Sequence, residues 1–162
     1  EQCLEMMQQV KELLDQGGRL EETVSEEIEN HRQTKGKYIP GFGHRFHKLE
    51  DPRAPRLMKL VSDAEGEKLV SGNFMRIGLE IQRQLSQRKS TGIAMNIDGA
   101  TAVIFGELGF APPLARGLFC LSRSVGILAH AWEQKNQGGR NKGPTPPEFL
   151  WNYSGKNPLE EG

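Results

Sequence analysis

The sequence has no long hydrophobic run, and its charges of opposite sign cancel. No segment approaches the roughly 20 consecutive apolar residues that a membrane-spanning helix needs, and no charged-then-apolar secretory segment opens the chain. The 21 basic and 21 acidic side chains give a formal net charge of zero, which favours neither nucleic acid nor an acidic membrane as a partner. These absences predict a soluble protein whose charged sites are local.

Cysteine is also scarce. The two cysteines, Cys3 and Cys120, lie far apart, each within an apolar helical pattern. This arrangement favours two buried, reduced thiols over a disulfide framework. We therefore expect the protein in the cytoplasm or in an organelle matrix.

The chain of 162 residues suits one ordinary domain, or a piece of one. It begins at Glu1, already within a helical pattern, so we expect it to be part of a longer protein. It also lacks a strand pattern of more than a few residues, an internal repeat and a heptad seam. The predicted fold class is therefore all-α.

Apolar residues at three- and four-residue steps predict six helices, and glycines or prolines mark most of their ends. The predicted helices cover residues 3–14, 20–28, 51–66, 69–85, 97–108 and 112–132. The last is apolar around most of its circumference, which predicts a central helix or one buried at a subunit interface. Glycine and proline are frequent from Gly138 onward, so we divide the chain into a helical domain, 1–137, and an extended arm, 138–162.

The turn Pro40–His44 contains two glycines and a histidine. Glycine lets the backbone come close to a ligand, so this turn could bind a phosphate or a carboxylate, or it could be a simple tight turn. His44 could exchange a proton near neutral pH or polarise a carbonyl, or it could be structural. His47 follows three residues later, but no third ligand has suitable spacing, so we expect no metal site.

Three charged residues stand at unusual places. Arg53 lies in the first turn of a predicted helix, where the helix dipole disfavours a cation. Arg123 interrupts an apolar segment, and a buried guanidinium needs a carboxylate partner, either internal or on a ligand. Asp98 begins a predicted helix, where it either caps the free amides or acts as a general base.

Three motifs in this order and spacing resemble the citrate synthase superfamily, which includes the citryl-CoA lyases. They cover most of the chain: PGFGHRFHKLEDPRAPRL from Pro40 to Leu57, MNIDGA from Met95 to Ala100, and LFCLSRSVGILAHAWEQ from Leu118 to Gln134. The resemblance implies a citrate synthase-like helical fold, with the small domain followed by a C-terminal helix and arm.

The resemblance also implies roles for individual residues. His44 would hydrogen-bond the carbonyl or hydroxyl oxygen of oxaloacetate or citrate, and Asp98 would be the base that takes the α-proton of acetyl-CoA. Arg53, Arg123 and Arg140 would bind substrate carboxylates, with Arg140 reaching the partner subunit's site. The residues implied for coenzyme A are Lys37, Tyr38, Ile39, Pro40, Gly41, Phe42, Gly43, Lys48 and Asn96.

The implied activity is formation or cleavage of the carbon–carbon bond of citryl-CoA, with coenzyme A thioester as substrate and no permanently bound cofactor. The run Gly99-Ala100 after the aspartate resembles the citrate-cleaving branch. The family's other catalytic histidine would lie just upstream of Glu1, so we expect this chain to be inactive alone. The alternatives are a methylcitrate synthase and a non-catalytic helical assembly module. A homodimer with exchanged arms is the expected partner arrangement.

Overall fold

The computed structural model describes residues 1–44, 50–88 and 92–138. The described residues form helices joined by short turns, which confirms the all-α class. The only β-type pairing among them is an isolated antiparallel bridge between Phe42 and Met95. None of the described helices is both long enough and apolar enough to cross a membrane.

Six helices follow one another along the chain. They are α1 (Gln2–Asp15), α2 (Leu20–Thr34), α3 (Arg53–Gly66), α4 (Asn73–Gln87), α5 (Ile97–Glu107) and α6 (Pro112–Asn136). The predicted stops are confirmed at three places: α1 ends before Gly17, α3 ends at Gly66, and α5 ends shortly before Gly109. Gly17 and Gly109 both have positive φ, which glycine adopts without steric cost.

The core lies where α1, α2, α4 and α5 pack together, and α3 packs mainly against α5. Each of the four central helices contributes one face of fully buried apolar side chains. These residues include Leu4, Met7, Val10, Val24, Ile28, Ile77, Ile81, Leu85, Ala100 and Val103. Burial of these faces removes a large apolar area from water, which stabilises the helices against unfolding.

Two helix predictions need correction. The predicted helix from Leu69 begins only at Asn73, because Gly72 has φ of +72° and Leu69 lies outside the helix with 72% of its surface exposed. In α6, Ala115 is the one buried residue, so the alternative of a central helix within this chain is wrong, whereas burial at a subunit interface stays a prediction. Its exposed large residues are Leu114, Leu121, Val125, Ile127, Leu128 and Trp132.

The prediction of two buried thiols is half correct. Cys3 is buried in α1, whereas Cys120 is exposed on α6. The chain divides into two compact units, Glu1–Arg123 and Ser124–Gly162. In the second unit, the described part continues α6 as far as Asn136 and ends at Gly138. The predicted boundary between domain and arm, near residue 138, stays a prediction.

Candidate functional site

The glycine turn that leads to His44 is joined to the segment before α5. The Gly43 amide donates to the Ala94 carbonyl at 2.7 Å, and the Asn96 amide donates to the Gly41 carbonyl at 3.0 Å. These bonds flank the bridge between Phe42 and Met95. Two of the three motifs recognised in the sequence are thus hydrogen-bonded to each other through the backbone.

Asn96 fixes both sides of this junction with its side chain. Its carbonyl oxygen accepts from the amides of Asp98 and Gly99, at 2.9 and 3.2 Å, and caps α5. Its Nδ2 donates to the Gly43 carbonyl at 2.7 Å. The capping role considered for Asp98 therefore belongs to Asn96, and the Asp98 carboxylate is left for another use. A side-chain cap of this kind contributes about 1 kcal/mol to stability.

Asp98 lines a cavity of about 480 Å³ in the first unit. Pro40 and Gly41 of the glycine turn line the same cavity, and so do the aromatic rings of Phe105 and Phe119. The Asp98 side chain is exposed, and no described residue donates a hydrogen bond to its carboxylate. The Asp98 carboxylate is therefore accessible to a ligand that occupies this partly aromatic cavity.

Cys3 lies on the same cavity wall. Burial raises the pKa of its thiol to about 12, with a smaller contribution in the same direction from the negative charge of Asp98. At neutral pH the thiol is therefore protonated and is a poor nucleophile.

Arg53 is held by a buried carboxylate. Asp51, which is 1% exposed, accepts from Arg53 Nε at 2.9 Å and from Arg53 Nη2 at 2.7 Å. This bidentate pair fixes the plane of the guanidinium, whose side chain remains 44% exposed. The pair explains why a cation is tolerated in the first turn of α3.

The negative charge of Asp98 also acts on the Arg53 guanidinium. Hydrogen bonding to Asp51 is the main cause that raises the pKa of Arg53, and the charge of Asp98 adds to it. The Asp51 carboxylate accepts a further hydrogen bond, at 3.1 Å, from the amide of Ile97, the residue before Asp98. The start of α3 and the start of α5 are thus adjacent.

Among the described residues, the structure does not place the other predicted catalytic or carboxylate-binding residues at this cavity. His44 is half-buried at the end of the glycine turn, while Arg123 is exposed on α6 rather than buried as its apolar surroundings predicted. No acidic side chain of the described chain pairs with Arg123, so the expectation of an internal partner is not met there. His44, Arg53 and Arg123 are not among the residues that line the cavity.

Residues proposed for coenzyme A lie around the turn. Lys37 and Tyr38 are exposed, Tyr38 to 87%, whereas Ile39 is buried in the core. Lys48 and Arg140, and also His47, lie outside the described residues. Across residues 1–44, 50–88 and 92–138, no cluster of three or more histidine, cysteine or acidic side chains could hold a metal ion.

Sequence reasoning missed Asp51 as a member of this site. It placed Asp51 at the start of the predicted helix 51–66, whereas α3 begins at Arg53 after Pro52. The sequence did contain a signal for this contact, because an aspartate two residues before an arginine can accept hydrogen bonds from both the amide and the guanidinium of that arginine. The Arg53 amide does donate to Asp51 Oδ1 at 3.1 Å.

Comparison with known proteins identifies the family. The family model described as citrate synthase, C-terminal domain, matches residues 1–144. The citrate synthase of Acidithiobacillus ferridurans is 33% identical over 140 residues, covering 85% of this chain and 36% of that protein. The chain therefore spans about a third of the length of this relative.

Solved structures agree with this result. The citryl-CoA lyase from Hydrogenobacter thermophilus is 28% identical with a TM-score of 0.65, and the match covers 96% of this chain and 57% of that one. The citrate synthase from Thermoplasma acidophilum, solved with carboxymethyl coenzyme A and oxaloacetate, has a TM-score of 0.66 and 23% identity over 99% of this chain and 42% of that one, which shows the shared fold. With a family model that matches most of its length, the chain belongs to the citrate synthase family.

Proposed function

We propose that the intact protein makes or breaks the carbon–carbon bond of citryl-CoA. The observation that carries this proposal is the junction of the glycine turn with α5, which puts Asp98 on the edge of a cavity, with Arg53 next to the same helix end. The membership of the chain in the citrate synthase family supports the proposal.

In the direction of synthesis, Asp98 takes a proton from the methyl group of acetyl-CoA, which forms the enolate. The enolate carbon then attacks the ketone carbon of oxaloacetate, and the former ketone oxygen takes a proton from His44 and becomes the hydroxyl of citryl-CoA. Cleavage is the reverse, and Asp98 returns its proton to the enolate carbon. The exposure of the Asp98 side chain beside the cavity supports a base role, because a substrate in the cavity can reach the carboxylate.

His44 and the arginines act on the other substrate. His44 hydrogen-bonds the oxygen whose charge changes in the reaction, and such a donor contributes most when it is aimed at the developing charge. Arg53, Arg123 and Arg140 bind the carboxylates of oxaloacetate or citrate. Oxaloacetate and citrate are polyanions, so arginine forks give both charge neutralisation and orientation.

The glycine turn is proposed to bind the thioester substrate. Its segment from Lys37 to Gly43 contributes backbone groups to coenzyme A, and Lys48 supplies a positive charge near the phosphates. Asn96 borders this site, and its side chain holds the Gly43 carbonyl in place. The ligands named for the Thermoplasma acidophilum structure, a coenzyme A derivative and oxaloacetate, fit this assignment.

We propose a homodimer as the working form, located in the cytoplasm or an organelle matrix. The exposed apolar residues of α6 support a protein partner, because large apolar groups at successive turns favour burial. Light scattering of the intact protein tests this, with a dimer expected. A monomer at micromolar concentration would contradict it.

The activity test uses the intact protein with three substrate sets. Citryl-CoA is offered for cleavage, and oxaloacetate is offered with acetyl-CoA or with propionyl-CoA. Product formation in the first or second set supports the proposal, whereas turnover only with propionyl-CoA indicates a methylcitrate synthase. The 162-residue chain alone is expected to show no turnover.

Citrate binding separates an enzyme from a helical assembly module of the same fold. We expect Arg53→Ala and Arg123→Ala to weaken the binding of citrate to the intact protein about tenfold or more. Arg19→Ala is the control, because Arg19 is exposed just before α2 and its ion pair among the described residues is with Glu22. Unchanged citrate affinity in both test variants would favour the assembly module.

A further inference from the structure

Asp51 is a buried carboxylate that accepts hydrogen bonds from residues at the starts of two helices, α3 and α5. It lies just before α3, is 1% exposed, and accepts hydrogen bonds from the guanidinium and the amide of Arg53. Its Oδ2 also accepts from the Ile97 amide, 46 residues further along the chain. A buried carboxylate is costly unless several donors satisfy it, so these contacts account for its presence.

The hydrogen bonds to Asp51 determine the orientation of the Arg53 guanidinium. Nε and Nη2 of the guanidinium are taken by the two oxygens of Asp51. Nη1 has no hydrogen-bond partner among residues 1–44, 50–88 and 92–138. A guanidinium is planar, so fixing Nε and Nη2 also fixes the direction in which the Nη1 hydrogens point. Arg53 therefore offers one oriented donor group to a ligand carboxylate.

The contact with Ile97 links this orientation to Asp98. Ile97 is the first residue of α5 and Asp98 is the second. The Ile97 amide is one of the helix amides that have no partner within α5, and Asp51 supplies that partner. The first turn of α5 is thus held between the Asn96 cap on one side and Asp51 on the other.

We propose that Asp51 is a positioning residue that aligns Arg53 and Asp98 with respect to each other. This inference rests on the proposed function and deepens it, because it names the group that sets the geometry between the carboxylate-binding arginine and the base. Asp51 itself is buried and does not touch substrate. It acts through Arg53 by one set of bonds and through α5 by another.

The two sets of bonds can be tested separately in the intact protein. Asp51→Asn keeps the size of the side chain but places an amide group against the guanidinium, so Arg53 loses its orientation. We expect this variant to weaken citrate binding about tenfold or more and to lower kcat, because a displacement of about 1 Å in an active site can cost about 100-fold. Asp63→Asn is the matched control, because Asp63 is exposed on α3 and pairs with Lys59.

A double-mutant cycle shows whether Asp51 acts through Arg53. In the Arg53→Ala background, Asp51→Asn should no longer weaken citrate binding, since the residue it orients is absent. Asp51→Ala, which removes the acceptor of the Ile97 amide as well, should still lower kcat in this background. General destabilisation would give additive losses in both quantities, and such additivity would overturn the inference.

A measurement on the unmutated protein covers the case in which Asp51→Asn fails to fold. The Arg53 Nε hydrogen and the Ile97 amide hydrogen should exchange slowly with solvent in NMR, since both are bonded to Asp51. Fast exchange at both positions would overturn the inference. If citrate fails to bind the unmutated protein, the proposed function falls, and this role of Asp51 falls with it. If Arg53→Ala weakens citrate binding and a folded Asp51→Asn does not, this inference alone is wrong.

Discussion

Gly41 and Gly99 lie so close together that neither position accepts a side chain. A β-carbon on Gly99 would clash with the Gly41 carbonyl oxygen, and one on Gly41 would lie 2.8 Å from the Gly99 α-carbon and 2.5 Å from the Cys3 sulfur. Gly41 also has φ of +86°, a conformation that other residues rarely adopt. This contact brings the turn before His44 against the first turn of α5.

The first prediction concerns Gly99→Ala. The added methyl group must displace the backbone of the glycine turn, so we expect a loss of about 1–3 kcal/mol in the free energy of unfolding. Catalytic activity of the intact protein should fall as well, because Asp98 is the neighbouring residue. Urea unfolding measures the first effect and the citryl-CoA assay measures the second.

Gly66→Ala is the control for this substitution. Nothing lies within 4 Å of a β-carbon at Gly66, and its φ is not positive. Its stability should stay the same or rise slightly, because alanine restricts the unfolded chain more than glycine does. Equal stability of the two alanine variants would contradict the close contact.

The second prediction concerns Glu107, the last residue of α5. Its carboxylate accepts from the amides of Ser71, Gly72, Phe74 and Met75, at 2.7 to 3.2 Å, and so caps the start of α4. Glu107→Ala should cost about 2 kcal/mol, since several helix amides lose a charged acceptor. Urea unfolding of the variant measures this loss.

Glu12→Ala is the matched control for Glu107→Ala. Glu12 is exposed on α1, so its substitution should change the free energy of unfolding by about 0.5 kcal/mol or less. A loss at Glu107 no larger than the loss at Glu12 would show that the cap contributes little.

The third prediction is a pH dependence that arises from Asp51. Hydrogen bonds from the Arg53 guanidinium lower the pKa of Asp51 well below its usual range, although burial opposes this shift. The folded state therefore binds the proton less tightly than the unfolded chain, where the pKa is about 3.9. The stabilisation is present above about pH 4 and is lost as the pH falls toward the lowered value.

Urea unfolding of the unmutated protein and of Asp51→Asn, from neutral pH down to about pH 3, measures this effect. The difference in free energy of unfolding between the two should be constant above about pH 5 and shrink below about pH 4. A difference that stays constant on acidification would show that Asp51 keeps an ordinary pKa, and a difference that grows would show a raised pKa; either would contradict the prediction.

The fourth prediction concerns the thiols of the 162-residue chain. Cys120 is exposed, whereas Cys3 is buried and burial raises its pKa to about 12. A thiol reagent at neutral pH should therefore label Cys120 rapidly and Cys3 only after unfolding. Absorbance of the released chromophore counts the labelled thiols. Cys120→Ser is the control, and rapid labelling of that variant in its folded form would be contrary to expectation.

Much of the fold follows from the sequence because the apolar residues recur with a helical period. The pattern failed at Leu69, which continues the apolar period of α4 toward the N-terminus. The helix itself begins only after Gly72. For α6 only the alternative of a central helix failed, because an apolar helix surface predicts burial but does not specify whether the same chain or a partner subunit covers it.

Part of the candidate site was also predictable. Asp98, the glycine turn and Arg53 were named from the sequence, through their unusual positions and the family motifs. The bond from Ile97 to Asp51 was not predictable, since it joins residues 46 apart that meet only through tertiary packing. For the same reason the cap that Glu107 gives to α4 was missed.

The bonds between the glycine turn and α5 have a mechanical consequence. Gly41, Asn96 and Gly99 hold the turn against the helix, and α5 is in turn packed against α1 and α4, so a shift of α5 would carry the turn with it. The remaining wall of the cavity belongs to α6, where Arg116 meets Glu1 of α1 in an exposed ion pair at 3.3 Å. Such a pair is easily broken. A ligand that reaches Asp98 in this cavity therefore also meets the first turns of α6, at Ala115, Arg116 and Phe119.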